Sequence, residues 1–225
     1  MKKLGFMSVL ALAFAAAVLA IFVWQNPGVT GDRLSKAETD AFLKAADRQL
    51  SLPPAEQAET LQRLRYFADH DDGRPVYMLN LMRFYPKVRS LPAGPPADMT
   101  PAKANAYYES RAVPMLLPRG GSAPFMGTSE GPDVLPYEAA GDDWSRMLLI
   151  RYSNRRAFLQ LVADPRYPAI MPYKLASLQV VLAPFAAQMM MPDTTLTAGA
   201  LLVIAFLGLG WWRAERRLRG QGSGE

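Results

Sequence analysis

Asn80 is the residue whose surroundings most need a chemical reason, because it places an amide inside the apolar stretch 76–84 (VYMLNLMRF). A buried amide costs free energy unless it is hydrogen-bonded, so either a ligand or a neighbouring strand or loop must hold it. Arg83 stands three places on and points to the opposite face of a strand, so the two serve different surfaces unless a bulge intervenes. Its plainest role is an ion pair with a helix. Tyr108, next to Tyr107, can pack in the core or offer a hydroxyl to a pocket. Arg151 closes a second apolar stretch, 144–152 (WSRMLLIRY), and offers a guanidinium to orient a ligand. Tyr167 follows the helix interruption Asp164-Pro165-Arg166, where the carboxylate accepts backbone N–H bonds and the tyrosine plugs an edge. Asn80, Arg83, Tyr108, Arg151 and Tyr167 are the candidate ligand-binding residues, and none carries an assigned catalytic role.

Several chemistries are excluded or disfavoured by composition. The chain has no cysteine, which removes disulfides, thiolate metal sites and thiol catalysis together. Its single histidine, His70, lies among Asp69, Asp71 and Asp72, but the loop is one residue short of calcium-loop spacing and lacks the closing glutamate. It reads as a solvated turn. There is no Ser-His-Asp set, no phosphate-cradling glycine loop with a lysine, and no two-histidine metal spacing. No metal and no cofactor are expected.

These residues must be positioned by elements, and the apolar residues of the chain gather at its ends. Residues 4–24 carry no charge and, as a helix, span roughly 30 Å, the thickness of a bilayer core. A cleavable signal peptide is the competing reading, because Lys2 and Lys3 precede the run and Val18-Leu19-Ala20 resembles a cleavage site. The run continues past that point to Trp24, at interfacial depth, which favours an uncleaved anchor. A second uncharged run closes on Trp211 and Trp212. The expected organisation is a transmembrane helix over 1–24, a linker and helical extension over 25–74, a folded domain over 75–190, a second transmembrane helix over 194–212 and a basic cytoplasmic tail over 213–225. Basic residues flank both spans on their outer sides, which puts both termini in the cytoplasm and the central domain on the extracytoplasmic, periplasmic side of a bacterial inner membrane. Six of the 25 basic and two of the 20 acidic residues lie in those flanks, leaving the middle at +1 of the formal +5. Such a balance offers no long-range attraction for nucleic acid.

Between the spans, Ser35 and Glu38 have capping-box spacing and open one helix, and Pro53-Pro54 opens a second. The stretch 76–84 reads as a strand apolar on both faces, Thr100-Pro101 opens a helix to about residue 117, and Gly120-Gly121 ends it. A strand over 122–128, a loop over 132–142, a strand over 144–152, a helix capped by Ser153-Asn154, a resumed helix from about 167 to 178 and a last strand over 179–187 complete the order β-α-β-β-α-β. That order is the ferredoxin-like α+β arrangement, an antiparallel sheet with helices on one side. The uncovered apolar face needs a cover, and a second copy of the sheet supplies one, so a homodimer is expected.

The stretch 75–84, the Gly120-Gly121 turn, and the stretches 151–158 and 164–167 together resemble the uncharacterised bacterial domain-of-unknown-function 1330 family of dimeric α/β-barrel domains. The resemblance covers about half the chain and implies the same dimeric fold, without an activity; relatives in the wider superfamily include cofactor-independent monooxygenases, haem-degrading enzymes and decarboxylases. Where the family pattern leads one to expect histidine and arginine after the proline of the last helix, this chain has Tyr173 and Lys174, which argues against imidazole-dependent chemistry there. The sequence thus points to a membrane-anchored dimeric module that binds a small apolar or mixed ligand, or a protein partner, without turning it over. The alternative is a cofactor-independent monooxygenase- or lyase-like enzyme whose active site lies inside the barrel.

Overall fold

The computed structural model describes residues 6–50, 52–131, 143–189 and 193–221, with side chains described from Val9 onward except at 215 and 217–221. The expected loop over 132–142 lies outside the described residues. The chain forms two compact units, 1–186 and 187–225.

The first unit opens with helix α1 (Phe6–Gln25), followed by a short 3-10 turn at Pro27–Thr30. Ser35 and Glu38 then form the expected capping box, in which each side chain satisfies the other's free backbone N–H, and start α2 (Lys36–Gln49). Helix α3 (Pro54–Asp69) begins on a proline whose missing N–H has no partner to lose there. These two helices are the extension, and Phe67 of α3 meets Phe158 of the domain edge to face. Arg155 and Arg156 fasten the same junction through ion pairs to Asp72 and to Asp32 and Glu38.

The domain proper runs β1 (Val76–Phe84), α4 (Pro101–Leu116), β2 (Ser122–Thr128), β3 (Arg146–Tyr152), α5 (Arg155–Val162), a 3-10 turn at Tyr167–Ala169, α6 (Met171–Ser177) and β4 (Leu178–Phe185). The resumed helix therefore begins at Met171, later than the sequence suggested, because Pro168 and Pro172 hold the intervening residues in a 3-10 turn and its exit. The strands form one antiparallel sheet in the order β2-β3-β1-β4, which with its crossing helices is the ferredoxin-like βαββαβ topology. Thr100 and Asn154 cap α4 and α5 by accepting backbone N–H bonds from Lys103 and Ala157.

Register decides which residues share a face. Val76, Met78, Asn80 and Met82 of β1 look toward the helices together with Arg146, Leu148, Ile150 and Tyr152 of β3, because directly paired residues point the same way. Most of these are buried with Tyr108, Phe158 and Leu178. The opposite face carries Tyr77, Leu79, Leu81 and Arg83, with Met147, Leu149 and Arg151 beside them and Val181, Ala183 and Phe185 on β4. Val181 and Phe185 are exposed there.

The second unit contains α7 (Thr194–Gln221). Its segment Thr194–Ala214, 21 residues at a mean hydropathy of 1.8, is long and apolar enough to cross a membrane. Among the described residues it is the one helix that meets that standard. The expected first span begins at residue 4, outside the described residues, and its described apolar part, Val9–Gln25, is shorter than a span.

Candidate functional site

The helix-facing side of β1 carries a cluster in which buried and half-buried polar groups converge around an amide. Asn80 is 1% exposed, and its position between β3 and β4 keeps the amide inside the layer between sheet and helices. Its Nδ2 donates to the carbonyl of Met78 at 3.2 Å, and at a long 3.5 Å to that of Leu148. Its Oδ1 accepts from Nζ of Lys174 at 2.7 Å. Lys174 sits on α6, and the same ammonium lies 5.3 Å from the ring centre of Tyr108 on α4, close enough for a cation–π attraction.

The neighbouring groups fix the electrostatics. Glu109 accepts two bonds from Arg146, at 2.8 and 3.2 Å, and a third from Asn105 Nδ2 at 2.9 Å. A carboxylate committed to a two-pronged guanidinium is not a close counter-ion for Lys174. Lys174 is half-buried, and the desolvation of its amine, only partly opposed by Glu109 and reinforced by Arg146, draws its pKa down from 10.5 to about 8. The hydroxyls of Tyr108 and Tyr167 lie 3.3 Å apart, and burial pushes both phenols up, so both keep their protons. Asn105 is 1% exposed and its Oδ1 has no hydrogen-bond partner.

Counting hydrogens shows what the cluster lacks. An ammonium carries three N–H bonds and Lys174 uses one of them on Asn80. The tyrosine pair uses one of its two O–H groups internally. The site thus holds unspent donors around a positive charge, a composition that fits the oxygen atoms of a carboxylate, enolate or carbonyl. The residues around Asn80 on this face are apolar: Met82, Leu148 and Leu178 pack together with Val180 and Ile150. Toward β4 the layer nears the surface, where Leu182, the direct cross-strand partner of Asn80, is 47% exposed.

Three of the five residues singled out from sequence, Asn80, Tyr108 and Tyr167, meet in this layer. The other two do not. Arg83 is on the opposite face, where it binds Asp143 and Gln179 and lies over the ring of Trp144 at 5.8 Å. Arg151 shares that face and donates to Oε1 and the carbonyl of Gln25 at 2.7 Å each and to Asn26 Oδ1 at 3.1 Å. Asp164 accepts from Arg166 and Arg119, which hold its carboxyl far below the usual range, so the Asp164-Pro165-Arg166 segment is a braced turn beside the site. Lys174, Glu109, Arg146 and Asn105 were not anticipated as a group. Glu109 and Arg146 carry no local signal because 37 positions separate them. Lys174 entered the sequence reading only as the residue that stands, with Tyr173, where the family pattern leads one to expect histidine and arginine.

No family model matches the chain, and no curated protein matches it. Among solved structures, the RPA0582 protein of unknown function from Rhodopseudomonas palustris is 24% identical, with a TM-score of 0.48 over 60% of this chain and 94% of that one. Its methylated form gives 24% and 0.49 over 60% and 93%. SnoaB, a cofactor-independent oxygenase from Streptomyces nogalater, is 14% identical with a TM-score of 0.35, over 53% of this chain and 99% of that one. These likenesses are too distant to carry an argument, and the fold stands on the strand order and register described above.

Proposed function

We propose that this chain is a membrane-anchored, homodimeric α/β-barrel domain of the domain-of-unknown-function 1330 kind. In this reading it binds a small ligand, without turnover, between its sheet and its helices on the extracytoplasmic side. The ligand is of mixed character, with an apolar body and an oxyanion at one end. The observation that carries this reading is Lys174, a half-buried amine held by Asn80, with the neighbouring carboxylate of Glu109 already committed to Arg146. An anion there satisfies the spare N–H and O–H donors and balances the charge. The anchors are the apolar helices at the two ends, which leave large side chains such as Phe14, Leu19, Leu202 and Phe206 exposed. The dimer follows from the open face of the sheet, where Leu81, Phe125, Trp144 and Met147 also line a groove of about 410 Å³.

The test uses the full chain in detergent with benzoate as the anionic probe and benzyl alcohol as its neutral counterpart. Benzoate is expected to raise the melting temperature and benzyl alcohol to leave it unchanged, with the benzoate effect lost in Lys174→Met. An equal response to both compounds sinks the ionic reading. Native mass spectrometry of the same samples reads subunit number: two subunits are expected for the wild type and one for Val181→Arg, a substitution at an exposed position of the open face. A monomeric wild type removes the dimer.

The second reading is an enzyme of the cofactor-independent oxygenase or lyase kind. What favours it is the same lysine, whose free amine is a base close to neutral pH and stands beside two protonated tyrosines.

A further inference from the structure

We infer that Lys174 is a carbonyl-capture residue, whose amine condenses reversibly with an apolar aldehyde or ketone to form an imine between the sheet and the helices. The inference rests on the ligand-site reading above and adds to it a covalent mode of retention.

Four observations support it. The amine is oriented, because one N–H is tied to Asn80 Oδ1 at 2.7 Å, which aims the lone pair of the free base away from that amide. The charged and titratable groups around it are Tyr108 and Glu109 from α4 and Arg146 from β3, with Tyr167 of the 3-10 turn bonded in turn to Tyr108. Of these, the one carboxylate is bound to Arg146, so none holds the amine as a tight ion pair. A proton source belongs to the same cluster, since Tyr108, whose ring centre lies 5.3 Å from the amine, shares with Tyr167 one hydroxyl hydrogen more than their internal bond uses. Finally, the residues around Asn80 are apolar and Lys174 itself is half-buried rather than sealed, which suits a hydrocarbon-bodied carbonyl compound rather than a sugar.

The step balances without any further reagent. Nζ attacks the carbonyl carbon and a carbon–nitrogen bond forms. The carbonyl oxygen takes one proton from the nitrogen and one from the tyrosine pair and leaves as water, and solvent returns the tyrosine proton. The protonated imine retains one N–H, which still reaches Asn80. Hydrolysis reverses the sequence, so capture is storage rather than turnover.

The protein contains its own controls. Lys36, Lys44, Lys87 and Lys103 are exposed. At pH 7.5 an amine with a pKa of about 8 has a roughly two-hundredfold larger share of free base than an ordinary lysine. The experiment treats the full chain in detergent with a limiting amount of hexanal and cyanoborohydride, which fixes an imine as a stable hexyl amine, and reads each lysine by peptide mass spectrometry. Lys174 is expected to be labelled at least about tenfold faster than the four exposed lysines, with a rate that rises through pH 8. Asn80→Leu, which frees the amine, is expected to slow labelling at Lys174 alone. Labelling of Lys174 at or below the rate of the exposed lysines overturns capture. If the benzoate response persists in that case, reversible ion binding stands and only the covalent step has failed; loss of both removes the site.

Discussion

Replacing Lys174 by methionine separates the cost of burying its charge from the value of its hydrogen bond. The folded state holds the lysine proton less tightly than the unfolded chain, since the pKa falls from 10.5 to about 8. Below pH 8 both states carry the charge and the folded protein bears the full penalty, roughly 3 kcal/mol at about 1.4 kcal/mol per tenfold change in proton affinity. Between pH 8 and 10.5 the folded protein releases the proton first, so the penalty fades as pH rises, and above that window it is gone. Methionine keeps the apolar volume but leaves Asn80 Oδ1 without its donor, at a cost of about 1–2 kcal/mol at any pH. Lys174→Met is therefore expected to be more stable than the wild type by roughly 1–2 kcal/mol at pH 7 and less stable by a similar amount near pH 10.5. Pulse proteolysis of the detergent-solubilised full chain across a urea series, repeated from pH 7 to 10.5, measures both, and other titrating groups cancel in the comparison. Two stability curves that stay parallel over that range would refute the reasoning, because they would mean that the amine is either solvated or neutralised by a partner.

Two further substitutions probe the frame around the site. Asp164→Asn removes the carboxylate shared by Arg119 and Arg166 and should cost about 2–4 kcal/mol at neutral pH. Because that carboxyl titrates far below its ordinary range, the wild-type advantage should hold above pH 4 and disappear as pH falls further, which acid unfolding followed by circular dichroism will show. Gly28→Ala places a methyl group 2.1 Å from the carbonyl oxygen of Gly73, a backbone atom that cannot rotate away. It should cost at least about 2 kcal/mol and raise hydrogen exchange in the turn at Pro27–Thr30, and an unchanged melting temperature would contradict that packing.

The sheet was legible in the sequence because two-sided apolar strands, proline-opened helices and the Gly120-Gly121 turn are local signals, each readable within about ten residues. Asn80 was legible for the same reason: an amide in VYMLNLMRF needs a partner whatever the fold. Its partner was not, because Lys174 is 94 positions away and meets it only when β4 returns beside β1. Arg83 and Arg151 looked like site residues since an arginine at the end of an apolar strand is conspicuous; alternation already set Arg83 opposite Asn80, whereas the face that Arg151 shares depends on the register between β1 and β3. The late start of α6 followed from prolines whose effect on a 3-10 turn the apolar pattern does not reveal.

The three bonds from Arg151 to Gln25 and Asn26 join the last turn of α1 directly to an inner strand of the sheet. A guanidinium forked across a helix end acts as a rivet rather than a leash. β3 in turn pairs with β1, so the end of the first helix and the amide that holds Lys174 hang on adjacent strands.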